Sequence, residues 1–254
     1  MRHLAKLSKQ KKNFNIMVIG CLILCVFACE SGPKRVPDTT TYPKVNIAGA
    51  MKNVMWKGEL AGIIQIDTIQ DKKGLYGIGP ESYLTGEIMI KDGLAFVSRV
   101  SADSSMYVEQ KAEIDAPFFV YANVTEWTEL DLPEEVIGIK DLEVFINQRT
   151  ENYQRPFAFK LVGSVSSANI HVQNLPKGIT VSSPEEAHQG QQNYQLDQQD
   201  VEIVGFFSTQ HQGVFTHHDS YLHLHLITQD LQQMGHLDKV KFETGAMKLY
   251  LPLQ

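Results

Sequence analysis

The sequence predicts an α+β fold that is mainly β, with a few helices and two β-rich lobes, one containing a mixed sheet and the other a barrel-like sheet. The first observation behind this prediction is that many segments have the β-branched and aromatic composition of strands. The second is that 254 residues, 43% of them hydrophobic and 20% charged, suit a packed globular protein. We predict an N-terminal β-rich domain over residues 45–150 and a C-terminal β-rich domain over residues 151–254.

Charge and hydropathy exclude two classes of function. The formal net charge is −6, whereas a nucleic-acid-binding protein normally carries a basic face. After the first 28 residues, no segment is apolar for long enough to span a bilayer. We therefore expect no nucleic-acid partner and no membrane-spanning segment in the body of the chain.

The first 28 residues have the pattern of an export leader. Five basic residues and no acid precede an apolar run of thirteen residues, 16–28, which is short for a membrane helix but suits a signal peptide. The segment Val26-Phe27-Ala28-Cys29 resembles a bacterial lipobox. We predict a signal peptide over residues 1–28, lipidation of Cys29 and a lipid-anchored protein of the cell envelope, with a plain secretory signal as the alternative.

The cysteines all lie in or directly after this leader. They are Cys21, Cys25 and Cys29, so the mature chain would keep only the lipidated one. Disulfides and thiol catalysis are therefore excluded for the mature chain. Residues 29–44 are polar and proline-bearing, and we interpret them as a tether. The acyl chains on Cys29 would be the part of the protein that holds it to a membrane.

Local signals place the remaining elements along the chain. A short helix is predicted over residues 48–56, and Lys91-Asp92-Gly93 between two apolar runs indicates a β-hairpin. Pro133 followed by two acids is typical of a helix start, which predicts a helix over residues 133–147. The Gln-rich segment 189–199 has no apolar period and is interpreted as a solvated loop. Strand composition is found in residues 87–90, 94–97, 117–124, 157–162, 164–172, 201–208, 221–227 and 239–251.

One cluster of histidines indicates chemistry. Six of the nine histidines fall between residues 211 and 236, and residues 221–227 alternate Leu with His. Side chains two apart on a strand share a face, so His223 and His225 point the same way. His236 follows eleven residues later, after a polar stretch suited to a turn. Three neutral imidazoles with open positions are the ligand pattern of a catalytic zinc, although copper, nickel or iron would also bind.

The other histidines have weaker assignments. For an isolated His-x-His the alternative is a pair of surface residues on an amphipathic strand. His217 and His218 are adjacent and diverge on a strand, so we interpret them as neighbours of the site or surface residues, with one of them as an alternative fourth ligand. His188 and His211 are interpreted as solvated polar groups.

Several motifs together resemble one known family. The segment Gly77–Gly93 contains Gly-Ile-Gly, a Gly-Glu pair at Gly86-Glu87 and an Asp-Gly turn, which is similar to the N-terminal signature of acetolactate decarboxylases. The histidine pair with Gly235-His236 is similar to the metal-binding C-terminal half of that family in order and spacing. Further similar segments are Ala116-Pro117-Phe118, Phe157–Gly163 and Val204–Phe207. The resemblance covers most of residues 45–252.

The resemblance implies an enzyme that converts (S)-2-acetolactate to (R)-acetoin and carbon dioxide, on two β-rich domains and commonly as a dimer. His223, His225 and His236 would be its zinc ligands, and Glu87 the acidic residue that helps to deliver a proton. Acetolactate is a β-keto acid with a tertiary hydroxyl group. A metal site suits its decarboxylation, because a Lewis-acid metal can accept electron density as carbon dioxide leaves. A carboxyl group near the ion then supplies the proton that the resulting intermediate needs.

Two positions depart from the family pattern. The family arginine that follows the strand ending at Gly163 is His171 here, and histidine lacks the bidentate fork of a guanidinium. We predict that His171 is a catalytic residue in place of this arginine, with a partly buried strand residue as the alternative. The second glutamate that the family places near its C-terminus has no counterpart before Gln254. Two alternatives therefore stand beside acetolactate decarboxylation. One is a lyase or isomerase acting on a different 2-hydroxy-3-keto acid, and the other is a non-catalytic metal- or ligand-binding lipoprotein on the same fold.

Overall fold

The structure, a computed structural model, describes residues 42–254. The predicted signal peptide, the lipidation site Cys29 and most of the tether lie outside the described residues. No helix within residues 42–254 is both long enough and apolar enough to cross a membrane.

Strands dominate the described part of the chain. Its α-helices are α1 (Met51–Lys57), α2 (Ile139–Arg149) and α3 (Pro184–Ala187), and two short 3-10 helices cover Ile66–Thr68 and Ser82–Leu84. Its strands are β1 (Val45–Ala48), β2 (Ile64–Gln65), β3 (Leu75–Pro80), β4 (Glu87–Lys91), β5 (Leu94–Val100), β6 (Met106–Gln110), β7 (Asp115–Ala116), β8 (Phe119–Asn123), β9 (Trp127–Asp131), β10 (Phe157–Val172), β11 (Gln192–Phe207), β12 (Leu222–Thr228) and β13 (Met234–Pro252). The predicted fold class, mainly β with few helices, is confirmed.

The first large sheet contains six strands in the order β1-β8-β3-β4-β5-β6. Its β4–β5 hairpin turns at Asp92 and Gly93, which both have positive φ (46° and 83°), as the sequence signal predicts. Every pairing in this sheet is antiparallel, so the mixed sheet expected from the sequence is an antiparallel one.

The second large sheet closes on itself. Its order is β10-β11-β12-β13-β9, and β10 also pairs with β13, so β10 to β13 form a barrel-like ring. Strand β9, which precedes residue 150, pairs with β13 and so belongs to this sheet. Leu142 and Ile146 of α2 are fully buried in the same hydrophobic cluster as the interior of the ring.

The two sheets share a second hydrophobic cluster. Ile78 and Met89 of the first sheet pack there with Phe206, Ile227 and Met234 of the second. Burial of these side chains, roughly 1.5–3 kcal/mol each, holds β4 of one sheet against β12 and β13 of the other, because Ile227 lies on β12 and Met234 on β13. This packing places the start of β4 beside the histidine-bearing strands.

Two local predictions were wrong. The Gln-rich segment 189–199 is not a solvated loop, because from Gln192 onward it forms the first half of β11 and pairs with β10 along its length. Only Leu196 is buried in that half, so this part of the sequence lacks the alternating apolar residues that would indicate a strand. The second helix begins at Ile139 rather than near Pro133, because the Asp141 carboxylate accepts hydrogen bonds from the backbone N–H groups of Ile137 and Gly138.

Candidate metal centre

Strand register brings histidines from three neighbouring strands into one row. His225 of β12 lies opposite His236 of β13, and His236 lies opposite His171 of β10. His223 lies two residues before His225 on the same face of β12. Residues directly opposite on paired strands project to the same side, so the antiparallel pairing of β12 and β13 assembles the cluster.

The rings of His223, His225 and His236 converge. Each offers one ring nitrogen such that the three nitrogens lie within 4.8 Å of one another. The ring centroids are 5.1 Å apart for His223–His225, 5.1 Å for His223–His236 and 5.4 Å for His225–His236. The side chains are 3%, 0% and 8% exposed, respectively. The sequence predicted this group of three, and the described residues bring it together.

The nitrogens of this cluster suit a metal ion. His223 Nδ1 and both ring nitrogens of His225 are buried without a hydrogen-bond partner among the described residues. An unpartnered buried polar atom costs about 1–3 kcal/mol, so native structures rarely keep several together without a ligand. Burial lowers the pKa of His225 to about 3, and burial followed by the neighbouring imidazoles lowers the pKa values of His223 and His236 well below the usual range. Neutral imidazoles are the form that binds metal ions.

Glu87 approaches the cluster from the other sheet. It is the first residue of β4 and is 2% exposed, with Oε2 3.5 Å from His225 Nε2. Its Oε1 accepts a hydrogen bond of 3.4 Å from the backbone N–H of Gln173. Burial raises the pKa of Glu87 well above its usual value, an effect that the Gln173 hydrogen bond partly opposes.

The turn before Glu87 is tightly anchored. Tyr83 and Leu84 have positive φ values of 59° and 53°, which for residues with a Cβ is a strained conformation. Arg99 holds this turn through two contacts to Glu81, Nε–Oε2 at 2.7 Å and Nη2–Oε1 at 2.5 Å. The fork-to-fork pairing fixes the direction in which the chain enters β4, and hence the position of the Glu87 carboxylate.

His171 lies in the same cleft. Its ring stacks on His236 with centroids 4.7 Å apart, and its Nε2 is 3.9 Å from Glu87 Oε1. Its Nδ1 lies 2.9 Å from each carboxylate oxygen of Asp238. Sequence reasoning missed Asp238, although a signal existed: it follows His236 by two residues, and on a strand it therefore shares that face.

Two further histidines reach the cleft, and one does not. His217 Nε2 lies 3.2 Å from His236 Nε2, and burial lowers the pKa of His217. His188, interpreted from sequence as solvated, is half-buried, and its ring centroid is 6.3 Å from that of His171. His218 is exposed.

An apolar wall completes the cleft. Its polar residues are Glu87, His171, Gln173, His188, His217, His223 and His236, and its apolar residues are Met51, Met55, Pro80, Leu84 and Phe118. The contribution of α1 through its two methionines could not be read from the sequence, because it depends on how α1 packs against the distant Phe118 and Leu84. The arrangement places a carboxyl group and imidazole nitrogens around one small, partly apolar space.

Gly235 allows the close approach of strands β10 and β13 beside the site. A Cβ at this position would lie 2.4 Å from the backbone oxygen of His171. We expect Gly235→Ala to destabilise the protein by about 1–3 kcal/mol and lower Tm by roughly 2–12 °C. It should also weaken binding of a metal ion by the three histidines, because His236 is the next residue. Differential scanning fluorimetry and competition with a metal chelator measure both effects.

The matched control is Gly245→Ala in the same strand. A Cβ there has open space around it, although φ is +71°. This variant should lose some stability through backbone strain but keep the metal affinity of the unmodified protein. Equal metal affinity in both variants would contradict the positioning role of Gly235.

A comparison with models of known protein families matches the alpha-acetolactate decarboxylase family over residues 48–251. The chain belongs to this family. The matched range contains both large sheets except most of β1 and the last residue of β13, and it contains every residue of the cleft described above. A comparison with curated proteins gives no match.

Solved structures confirm the acetolactate decarboxylase fold. Alpha-acetolactate decarboxylase from Bacillus subtilis strain 168 superposes with a TM-score of 0.66 at 21% identity, covering 83% of this chain and 86% of that one. Acetolactate decarboxylase from Bacillus subtilis subspecies spizizenii gives 0.67 at 20% identity with the same coverages. A Staphylococcus aureus protein of unknown function similar to alpha-acetolactate decarboxylase gives 0.65 at 16% identity, again over 83% and 86%. Family and fold together indicate an acetolactate decarboxylase-like, carboxy-lyase activity.

Proposed function

We propose that the protein decarboxylates (S)-2-acetolactate to (R)-acetoin and carbon dioxide with the help of a bound metal ion. The observation that carries this proposal is the convergence of three buried imidazoles and the Glu87 carboxyl group in one cleft. Family membership supports the choice of reaction. Zinc is the proposed ion, since three histidine nitrogens with room for further ligands are typical of catalytic zinc sites.

The residues of the proposed ligand set are His223, His225 and His236. The ion, when bound, supplies Lewis-acid stabilisation of the negative charge that develops on the substrate oxygens. Burial keeps the three imidazoles neutral and therefore ready to bind. Paired strands, rather than loops, carry all three rings, so little ordering is needed when the ion arrives.

Glu87 is the proposed proton carrier. Its burial favours the neutral carboxyl form, which can donate a proton to the carbon that loses carbon dioxide. The Gln173 backbone N–H binds Oε1 and orients the carboxyl group toward His225. Met51, Met55 and Phe118 form the apolar wall that limits water near the reacting carbon.

One observation favours a second candidate, a lyase or isomerase acting on another 2-hydroxy-3-keto acid. Where the family resemblance implies an arginine, the cleft contains His171 in contact with the acid Asp238. This pair offers one ring nitrogen instead of a bidentate fork, and it adds a negative charge near the place where a substrate carboxylate would bind. A substrate with a different polar group at that position would fit this pair.

Purified protein incubated with zinc and racemic acetolactate tests the proposal. We expect acetoin and carbon dioxide to form in equal amounts and faster than without protein, and the reaction to stop after removal of zinc by a chelator and resume after zinc is restored. Acetoin formation by zinc-loaded protein that is no faster than in the absence of protein would refute the proposed reaction. Turnover of a different 2-hydroxy-3-keto acid under the same conditions would establish the second candidate instead.

The cellular setting of this reaction is proposed from the sequence. The lipobox-like segment at Cys29 supports a lipid anchor in the cell envelope. The proposed partners are the small-molecule substrate and a second copy of the chain in a homodimer. We propose contact with a membrane only through the anchor.

A further inference from the structure

The two nitrogens of His171 have different surroundings. Nδ1 lies 2.9 Å from both carboxylate oxygens of Asp238, whereas Nε2 faces the cleft, 3.9 Å from Glu87 Oε1. A carboxylate accepts hydrogen bonds, so Nδ1 carries the proton that is donated to Asp238 whether the imidazole is neutral or charged. Nε2 makes no hydrogen bond to any of the residues 42–254 and is the nitrogen available to a molecule in the cleft.

Packing alone does not distinguish the two edges of this ring. The His171 side chain is 8% exposed, and its ring lies on that of His236 with centroids 4.7 Å apart and an interplanar angle of 29°. Stacking holds the plane of the ring, but a rotation of 180° about the Cβ–Cγ bond would keep that plane and place the ring carbons Cδ2 and Cε1 where Nδ1 and Nε2 lie. The carboxylate of Asp238 is the polar contact that selects one orientation.

The pairing of β10 with β13 brings Asp238 to His171. His236 and Asp238 are two residues apart on β13 and share a face, while His171 lies opposite His236 on β10. The Asp238 side chain is 36% exposed, so it reaches His171 from the rim of the cleft and keeps part of its hydration. Asp238 can therefore hold the ring without the large cost of burying a carboxylate.

We infer that Asp238 is a positioning residue that fixes the orientation and tautomer of His171, so that Nε2 is presented to an oxygen atom of the substrate. This inference rests on the proposed function for its substrate class, a 2-hydroxy-3-keto acid. Carboxylates orient imidazoles in this way around metal sites, where loss of the carboxylate costs about 10–100-fold in metal affinity or activity, and we take the same range for the activity that depends on His171. Asp238 acts through His171 and does not itself touch the substrate.

A double-mutant cycle tests the inference with zinc-loaded protein. Asp238→Asn keeps the size of the side chain, and we expect it to lower kcat by about 10–100-fold with zinc content unchanged. His171→Gln should lower kcat at least as much, and the double variant should be no slower than His171→Gln alone. The matched control is Glu243→Gln, an exposed acid on the same strand, which should leave kcat unchanged. Additive losses in the double variant, or unchanged kcat in Asp238→Asn, would overturn the inference.

A second measurement does not depend on turnover. Long-range ¹H–¹⁵N NMR of ¹⁵N-labelled, zinc-loaded protein reports which nitrogen of each histidine carries a proton, and the His171→Gln variant identifies the His171 signals. We expect a proton on Nδ1 of His171 in the unmodified protein and a change of this pattern in Asp238→Asn. A bare Nδ1 in the unmodified protein would overturn the inference. If no acetoin forms but the NMR pattern is as expected, the proposed function fails while the positioning role stands.

Discussion

Replacing His225 by alanine is expected to abolish both zinc binding and turnover. His225 is fully buried and central to the proposed ligand set, with His223 beside it on β12 and His236 opposite it on β13. Loss of a residue that only supports a ligand weakens metal binding by about 10–100-fold, so loss of a ligand should weaken it by more than about 100-fold. Acetoin formation should fall to the background rate, because only two imidazoles would remain to hold the ion.

Metal content, chelator competition and thermal unfolding measure this effect together. A ligand present at 100 times its Kd stabilises the native state by about 2.7 kcal/mol, so zinc should raise the Tm of the unmodified protein by roughly 5–11 °C. Zinc should raise the Tm of the His225→Ala variant by much less. Because alanine leaves a cavity, His225→Gln serves as a second variant of closer volume.

The control for this experiment is His218→Ala, which removes an exposed histidine outside the proposed ligand set. This variant should keep its zinc affinity, its zinc-dependent rise in Tm and its turnover. Normal zinc affinity in both His225 variants would contradict the assignment of the ligands.

Replacing Glu87 by glutamine is expected to slow turnover by about 10²–10⁴-fold, the range for loss of a general acid. Glutamine has nearly the same shape and can still accept the Gln173 hydrogen bond, but its amide cannot deliver a proton. Zinc should remain bound, because the three imidazoles are untouched. Steady-state acetoin formation and the zinc content of the same sample measure both parts of the prediction.

The comparison variant is Glu59→Gln, an exposed acid in the loop after α1. It should turn over substrate at the rate of the unmodified protein. Retained zinc together with unchanged turnover in Glu87→Gln would remove Glu87 from the mechanism. Loss of zinc in Glu87→Gln would instead show that this carboxylate belongs to the metal-binding group.

The histidine cluster was predictable because its signal is local. Leucine–histidine alternation on β12 and the short polar turn before His236 are both read within sixteen residues of sequence. The period of two on a strand then places His223 and His225 on one face. Glu87 was found only through the family resemblance, because it comes from the other sheet and its approach depends on how the two sheets pack.

The remaining features depend on long-range pairing. Asp238 becomes significant only when β13 pairs with β10 and brings His171 opposite His236. The Gln-rich start of β11 forms a strand because β10 offers it a continuous backbone partner, not because of its own side chains. The apolar wall from α1 likewise depends on contacts with residues far away in the sequence.

The most direct test of the central claim is anomalous diffraction at the zinc absorption edge from crystals grown with zinc. We expect one strong peak in the cleft, with one nitrogen each of His223, His225 and His236 about 2.0–2.1 Å from it. A zinc peak held by other side chains, or an empty cleft in crystals whose protein contains zinc, would contradict the account.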